Sequence, residues 1–251
     1  MLLSISLKNM VMPKWAALFL AVMLAACGGG GNSGNGGFVP PTTNFNAFAA
    51  WTNLLQPAAL TSWTVSGTGS DGNVYESTMF VQVVPNAVFP LAAIPYFVTS
   101  FGSQLKANGT AISSKSIQNY FDAGWQTRGL RNSATVGTTT TTTCDAVVSG
   151  LVPPTAAKVN ASGTLYDADI HASCTPGSVV VGRSIATWSV EFEAGFVFLC
   201  INTQDSDLGG NPQVTNEQNC VEIDEAGRLG TRARVSLGSN SPSFSLVARN
   251  Y

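Results

Sequence analysis

The side chains with the clearest capacity for proton or metal chemistry form one short row. The only histidine, His171, follows Asp169 by two residues and Asp167 by four. Alternate residues of a strand point to the same side, so the three share one face if this segment is extended. Positions two apart on a strand are separated by about 6.5–7 Å. A flat strand therefore does not bring all three onto one ion, and we interpret the row as a solvated polar face.

Two pairs of carboxylates offer a different chemistry. Glu191 and Glu193 form one pair, and Asp167 and Asp169 form the other. Paired carboxylates hydrolyse glycosidic bonds when they face each other across a groove. A hydrolase using one of these pairs is therefore an alternative function. Each pair alternates with apolar residues, however, which is typical of solvent-facing positions. We lean towards a protein that is not an enzyme and expect no cofactor.

Oxygen-bearing side chains recur in the segment 205–211. Asp205, Asp207 and Asn211 resemble the first part of a calcium loop, in which oxygen donors stand at alternate positions. The glutamate that completes an EF-hand loop is missing. These three residues are the best metal-site candidates in the sequence, and a solvated loop is the alternative interpretation.

The chain contains 5 cysteines. Four of them lie in the second half, Cys144, Cys174, Cys200 and Cys220. An even number of cysteines in an exported protein predicts two disulfides, and three pairings are open. We favour Cys144–Cys174 and Cys200–Cys220. The reason is a pair of similar turns, Glu193-Ala194-Gly195 and Glu225-Ala226-Gly227, which would make the strands bearing Cys200 and Cys220 consecutive and adjacent.

The elements that must hold these residues are mostly strands. Short segments alternate apolar and polar residues and are separated by turn residues, which is typical of antiparallel sheets with one solvated face. Examples are the segments 75–83, 166–172, 188–193 and 229–237. The pattern predicts an antiparallel β-sandwich or a small β-barrel. The spacing of apolar residues predicts one short helix over 45–55, with a second at 114–123.

The N-terminus has the features of a leader sequence. Lys8 and Lys14 precede the apolar run 15–23, which is too short for a stable transmembrane helix. The run ends in Leu24-Ala25-Ala26-Cys27, which resembles the lipobox of bacterial lipoproteins. The resemblance covers only about the first tenth of the chain. An ordinary secretory leader with a chance cysteine is the alternative, and Met10 and Met12 are alternative starts.

The resemblance to lipoproteins implies an address. It implies a signal peptide at 1–26 that is removed and a Cys27 that carries lipid such as palmitate. Gly28 follows the cysteine, where an aspartate would favour the inner membrane, so the expected location is the cell envelope at the outer membrane. The segment 27–43 combines the lipidated cysteine with a Gly/Asn/Ser tether. The segment 44–251 is expected to be one β-rich globular domain.

Composition limits the partners. The formal net charge is −2, and it becomes more negative when Lys8 and Lys14 leave with the leader, so nothing indicates nucleic-acid binding. The first functional hypothesis is a non-catalytic envelope lipoprotein that binds a protein partner or has a structural role. The alternative is a binding module for a small apolar or glycan ligand. That module would need a pocket lined by aromatic residues such as Trp63, Phe80, Trp125, Trp188 and Phe196.

Overall fold

The structure is a computed structural model that describes residues 38–209, 212–240 and 243–251. One compact unit comprises Val39–Tyr251. The expected signal peptide, Cys27 and most of the tether lie outside the described residues, as does Asn211. Their assignments therefore remain predictions.

The fold is a single closed barrel in which each strand pairs antiparallel with the next one along the chain. The first and last strands close it, with Ser66 opposite Arg249. The elements are α1 (Ala47–Leu55), β1 (Thr61–Thr68), β2 (Val74–Val88), β3 (Pro95–Ala107), β4 (Thr110–Phe121), β5 (Thr127–Val136), β6 (Thr139–Gly150), β7 (Ser162–His171), β8 (Val180–Glu193), β9 (Phe196–Asp207), β10 (Pro212–Ile223), β11 (Leu229–Asn240) and β12 (Ser243–Arg249).

The closing seam requires a glycine. A Cβ built on Gly67 of β1 would lie 2.2 Å from the carbonyl oxygen of Val247 in β12. Any larger residue would push the two strands apart at the point where the barrel closes. The expectation of a mainly antiparallel β protein is confirmed. Of the two expected architectures, sandwich and barrel, the structure has the barrel, and it contains 12 strands.

Only one helix is found in the described part of the chain. Asn46 caps α1 by accepting a hydrogen bond from the Ala49 backbone N–H at 2.9 Å, and Pro57 follows its last turn, where a proline stops helix propagation. The buried residues Ala47, Ala50, Trp51, Leu54 and Leu55 recur at helical spacing and face the barrel. Within residues 38–209, 212–240 and 243–251, no helix is long and apolar enough to cross a membrane.

The expectation of a second helix at 114–123 is wrong. Most of that segment is β4, which is bonded to β3 on one side and β5 on the other. Its apolar residues mimic helical spacing, but two flanking strands offer the backbone a complete set of partners, and tertiary pairing overrides the local pattern.

The wall of the barrel has an inner core and two smaller outer clusters. The inner core contains residues from each of the four alternating segments predicted from the sequence. One outer cluster joins Phe89, Val98 and Tyr120 to the Cys144–Cys174 disulfide. The other joins Phe198 and Tyr251 to Cys200–Cys220. Both predicted disulfides are confirmed, and each fastens neighbouring segments from outside the wall.

Two turns at the α1 end of the barrel follow the expected chemistry. Ala194 and Gly195 both have positive φ, 54° and 89°, as a two-residue hairpin turn requires. Gly227 has a φ of 80°, and it sits directly against α1. Cys200 and Cys220 are therefore brought opposite each other on β9 and β10, which is the arrangement that the two similar turns predict.

Candidate ligand-binding chamber

The barrel interior is not completely filled. A chamber of about 260 Å³ lies inside the barrel, between α1 and the inward side chains of the strands. Its floor is apolar: Trp51 and Leu54 of α1 lie beside Trp63 of β1 and Leu130 of β5. The floor is held in place by indole hydrogen bonds, since Trp51 donates to the carbonyl of Trp125 and Trp63 donates to the carbonyl of Gly230, each at 3.1 Å.

A polar band surrounds the chamber above this floor. The charged residues that line it are Lys115 on β4, Asp145 on β6, Asp205 on β9 and Glu217 on β10. Lys115 Nζ donates to Glu217 Oε2 at 2.8 Å, and the side chains are 37% and 23% exposed. Solvent therefore reaches this ion pair although it lies inside the barrel wall, which means that the chamber is open to water.

The ion pair keeps both of its members charged. Desolvation alone would lower the pKa of Lys115, but the charge and hydrogen bond of Glu217 raise it above its usual value. Desolvation would raise the pKa of Glu217, but Lys115, with help from Asn219, lowers it. Asn219 donates to the other Glu217 oxygen at 2.8 Å. Both side chains are therefore charged at neutral pH and remain paired.

Asp145 differs from this pair because it lacks a cation at contact distance. It is only 4% exposed, and Asn132 donates to its Oδ2 at 2.8 Å. Its Oδ1 has no hydrogen-bond partner within the described structure. Burial raises the pKa of Asp145 to about 7, Asn132 opposes that rise, and the negative charge of Asp205 adds to it. Asp145 is therefore poised to exchange a proton near neutral pH.

A second polar side chain lining the chamber is similarly incomplete. Asn119 of β4 is 3% exposed, and its Oδ1 has no partner among the residues described. Asn119 is paired with Leu130, and Leu130 with Asp145. The two unpartnered oxygens thus project from strands on either side of β5, with Cα atoms about 10 Å apart. A buried acceptor without a partner costs about 1–3 kcal/mol.

The strand next to β6, β7, carries a buried hydroxyl group that lines the chamber. Tyr166 is buried, and its hydroxyl is bonded to the hydroxyls of Ser184 and Thr203. Burial, reinforced by the charges of Asp145 and Asp205, raises the pKa of Tyr166 far above its usual value. The phenol stays protonated and neutral, so it contributes a polar wall without adding charge.

The aromatic residues expected to line a pocket are divided by the structure. Trp63 and Phe80 are among the residues that line the chamber. Trp125 lies below the floor, where its ring stacks on Phe121. Trp188 belongs to the packed core. Phe196 is on the outer wall, beneath the guanidinium of Arg232 at 3.7 Å. Of the five aromatic residues, Trp63 thus points into the chamber. Phe80 alternates with Met79 and Val81, so its ring is on the other face of β2, over Gly102.

The His171 row lies on the outer wall and its members do not converge. His171 Nδ1 is hydrogen-bonded to the carbonyl oxygen of Ser178 at 2.8 Å, which ties down the loop between β7 and β8. Asp167 is held by Arg183 in an ion pair. These contacts are structural, as the interpretation of a solvated polar face anticipates.

The Glu191 and Glu193 pair is also on the outer wall. Arg234, whose side chain is only 11% exposed, forms ion pairs with both glutamates and contacts the sulfur of Cys220 at 3.2 Å. Arg249 contacts the second oxygen of Glu193. The guanidinium groups occupy the space in which a substrate would have to lie between the carboxylates.

The proposed metal ligands are only partly described. Asp205 lines the chamber, Asp207 Oδ1 accepts a hydrogen bond from the Gly209 backbone N–H at 2.9 Å, and Asn211 lies outside the described residues. The metal hypothesis for this set remains a prediction. The potential metal ligands that do cluster among the described residues are Glu191, Cys200 and Cys220. The two sulfurs are joined in a disulfide and are not available as thiolates.

Sequence reasoning missed the residues that make the chamber polar. Lys115, Asp145 and Glu217 stand at inward positions, whereas charged residues of an alternating pattern are normally assigned to the solvent side. A signal does exist for β4: Lys115, Ile117, Asn119 and Phe121 share one face. It was hidden by the helical interpretation of the same segment.

Comparison with known proteins gives no relative from which a function could be transferred. No protein-family model matches the chain, and no curated protein or solved structure matches it either. The function therefore has to be argued from the chemistry of the chamber itself.

Proposed function

We propose that this protein is a non-catalytic binding protein that takes up a small amphipathic molecule in the chamber of its barrel. The observation that carries the proposal is the incomplete polar band above an apolar floor. Ligand pockets combine a mostly apolar lining with a few polar groups that fix orientation. A ligand that satisfies Asp145 Oδ1 would remove a desolvation penalty that the empty protein bears.

The outer wall supports binding inside the barrel over catalysis on its surface. The carboxylates that a hydrolase would need on the outside are held by Arg183, Arg234 and Arg249. Inside the barrel, the ion pair of Lys115 and Glu217 and the protonated phenol of Tyr166 are rigid recognition groups, since each is already hydrogen-bonded.

The test is a titration with 1-octanol, a neutral molecule with one polar end and one apolar chain. Binding would be followed by calorimetry and by the fluorescence of Trp51 and Trp63, which line the floor. Affinity should rise about fourfold for each CH₂ added between 1-hexanol and 1-octanol, because burial of one CH₂ is worth about 0.8 kcal/mol.

A matched pair of variants localises the binding. Thr203 faces the chamber, and the adjacent Asn202, paired with Thr187, lies on the outward side of β9. Thr203→Trp should abolish octanol binding by filling the space, whereas Asn202→Trp should leave it unchanged. Thermal unfolding of each variant verifies that the barrel is intact. Absence of binding to the wild-type protein, or equal binding by both variants, would refute the proposal.

The proposed location is the outer membrane, reached through lipid on Cys27. This rests on the lipobox resemblance of Leu24-Ala25-Ala26-Cys27 and on the glycine-rich segment that follows it. Metabolic labelling with an alkyne-modified palmitate should label the wild-type protein, and Cys27→Ser should remove the label. Labelling that persists in Cys27→Ser would contradict the proposed anchor.

A further inference from the structure

We infer that the ligand of the chamber is an organic cation, an ammonium head group on an apolar chain, with Asp145 as its counter-ion. This inference rests on the proposed function, because it names the class of molecule that the same chamber would bind. It is carried by the balance of charge and hydrogen-bonding groups around the chamber.

The charges of the chamber do not cancel. Lys115 is the only cationic residue among the described lining residues, and Glu217 neutralises it at 2.8 Å. Asp145 and Asp205 remain as the uncompensated acidic residues, and the negative charge of Asp205 adds to the raised pKa of Asp145. A low-dielectric wall strengthens such an unbalanced field. A positive group entering the chamber is therefore attracted, and a negative group is repelled.

The missing hydrogen-bond partners point to the same class. Within the described chain, the unpartnered buried atoms of the chamber lining are the Oδ1 atoms of Asp145 and Asn119, both of them acceptors. Acceptors require a donor, and an ammonium group carries three N–H donors and no acceptor. A carboxylate or phosphate ligand would bring more acceptors into a band that already has too many.

The spacing favours an organic cation over a metal ion. Within residues 38–209, 212–240 and 243–251, Asp145, Asp205 and Glu217 do not form a cluster of metal ligands. Their carboxylates are too widely separated to offer three oxygens to one ion, and calcium needs six to eight oxygens at about 2.3–2.6 Å. The apolar floor of Trp51, Leu54 and Trp63 is, by contrast, suited to an alkyl or aryl group.

The experiment compares three probes that share one chain: octylammonium, 1-octanol and octanoate. At pH 8, octylammonium should bind at least about tenfold more tightly than 1-octanol, because charge-assisted hydrogen bonds are about twice as strong as neutral ones. Octanoate should bind more weakly than 1-octanol. The readouts are calorimetry and chamber tryptophan fluorescence.

Asp145→Asn is the diagnostic variant. It should lower the ratio of octylammonium affinity to octanol affinity to near one, since it removes the counter-ion while preserving size and shape. Asp169→Asn, on the outer wall of β7, is the matched control and should leave the ratio unchanged. Lowering the pH from 8 to 5 should reduce the wild-type ratio in the same direction, because Asp145 takes up a proton. The groups that face Asp145 are Asn132, Lys115, Asp205 and Tyr166, and the lowered pKa of Glu217 keeps the Lys115 partner ionised.

The failures of the two proposals are distinguishable. If 1-octanol binds and is displaced by filling the chamber, but octylammonium binds no more tightly, the proposed function stands and the cationic ligand is refuted. If octanoate binds most tightly, Lys115 is the recognition group and the inference is likewise overturned. If none of the three probes binds, both proposals fail together.

Discussion

Asp145→Asn also tests the structure without any ligand, through the pH dependence of stability. Asp145 is 4% exposed, and burial raises the pKa of its carboxyl group from the usual 3.8 to about 7. In the unfolded chain the same group titrates near 3.8. Between these two values the folded protein holds a proton that the unfolded chain has released, so the wild type loses stability as pH rises.

The magnitude follows from the two pKa values. Each pH unit between them contributes about 1.4 kcal/mol, so the interval between 3.8 and 7 amounts to about 4 kcal/mol. The stabilising contribution of the protonated group is fully present below pH 3.8 and is lost above pH 7. Asparagine cannot ionise. The free energy of unfolding of Asp145→Asn should therefore exceed that of the wild type by an amount that grows by up to about 4 kcal/mol between pH 4 and pH 8.

The assay is urea unfolding of both proteins with intact disulfides, followed by tryptophan fluorescence at pH 4, 5, 6, 7 and 8. The change of the difference with pH is the relevant quantity, because any repacking caused by the amide contributes equally at every pH. Asp169→Asn on the outer wall should give a difference that does not change with pH. If the wild-type and Asp145→Asn curves run parallel from pH 4 to pH 8, the carboxyl group is not buried as described, and the argument for an uncompensated anion in the chamber fails with it.

Three further predictions concern the wall of the barrel, and each is checked by urea unfolding at pH 7. Arg234→Met should lower the free energy of unfolding by about 3–5 kcal/mol, because it leaves two half-buried carboxylates without their shared cation. A loss below about 1 kcal/mol would show that water effectively solvates these ion pairs. Replacement of both Cys200 and Cys220 by serine should cost about 3 kcal/mol for a loop closed across 20 positions, and an unchanged midpoint would contradict this. Gly227→Ala should be clearly more destabilising than Gly72→Ala, although both residues have φ near +80°. The new Cβ at 227 meets the backbone nitrogen of Ala50 in α1 at 2.6 Å, whereas the one at 72 meets nothing within 4 Å. Equal losses would refute close packing of α1 on that turn.

Much of the barrel wall was predictable from local sequence. Period-two alternation identifies strands because a strand must bury one face and hydrate the other. Turn chemistry is also local, since Ala194-Gly195 and Gly227 need positive φ regardless of what surrounds them. The order of those turns made β9 and β10 neighbours, and the Cys200–Cys220 pairing followed from that adjacency.

The closure of the barrel and the nature of its interior were decided only by tertiary structure. Closure depends on the pairing of β1 with β12, which are separated by almost the whole described chain, and no local pattern encodes it. Alternation likewise states which residues share a face but not which face is inside. Lys115 and Asp145 could be placed in the chamber only when the strands were joined into a ring. The chemistry of the candidate site therefore arises from groups that are distant in sequence and meet because the wall closes around them.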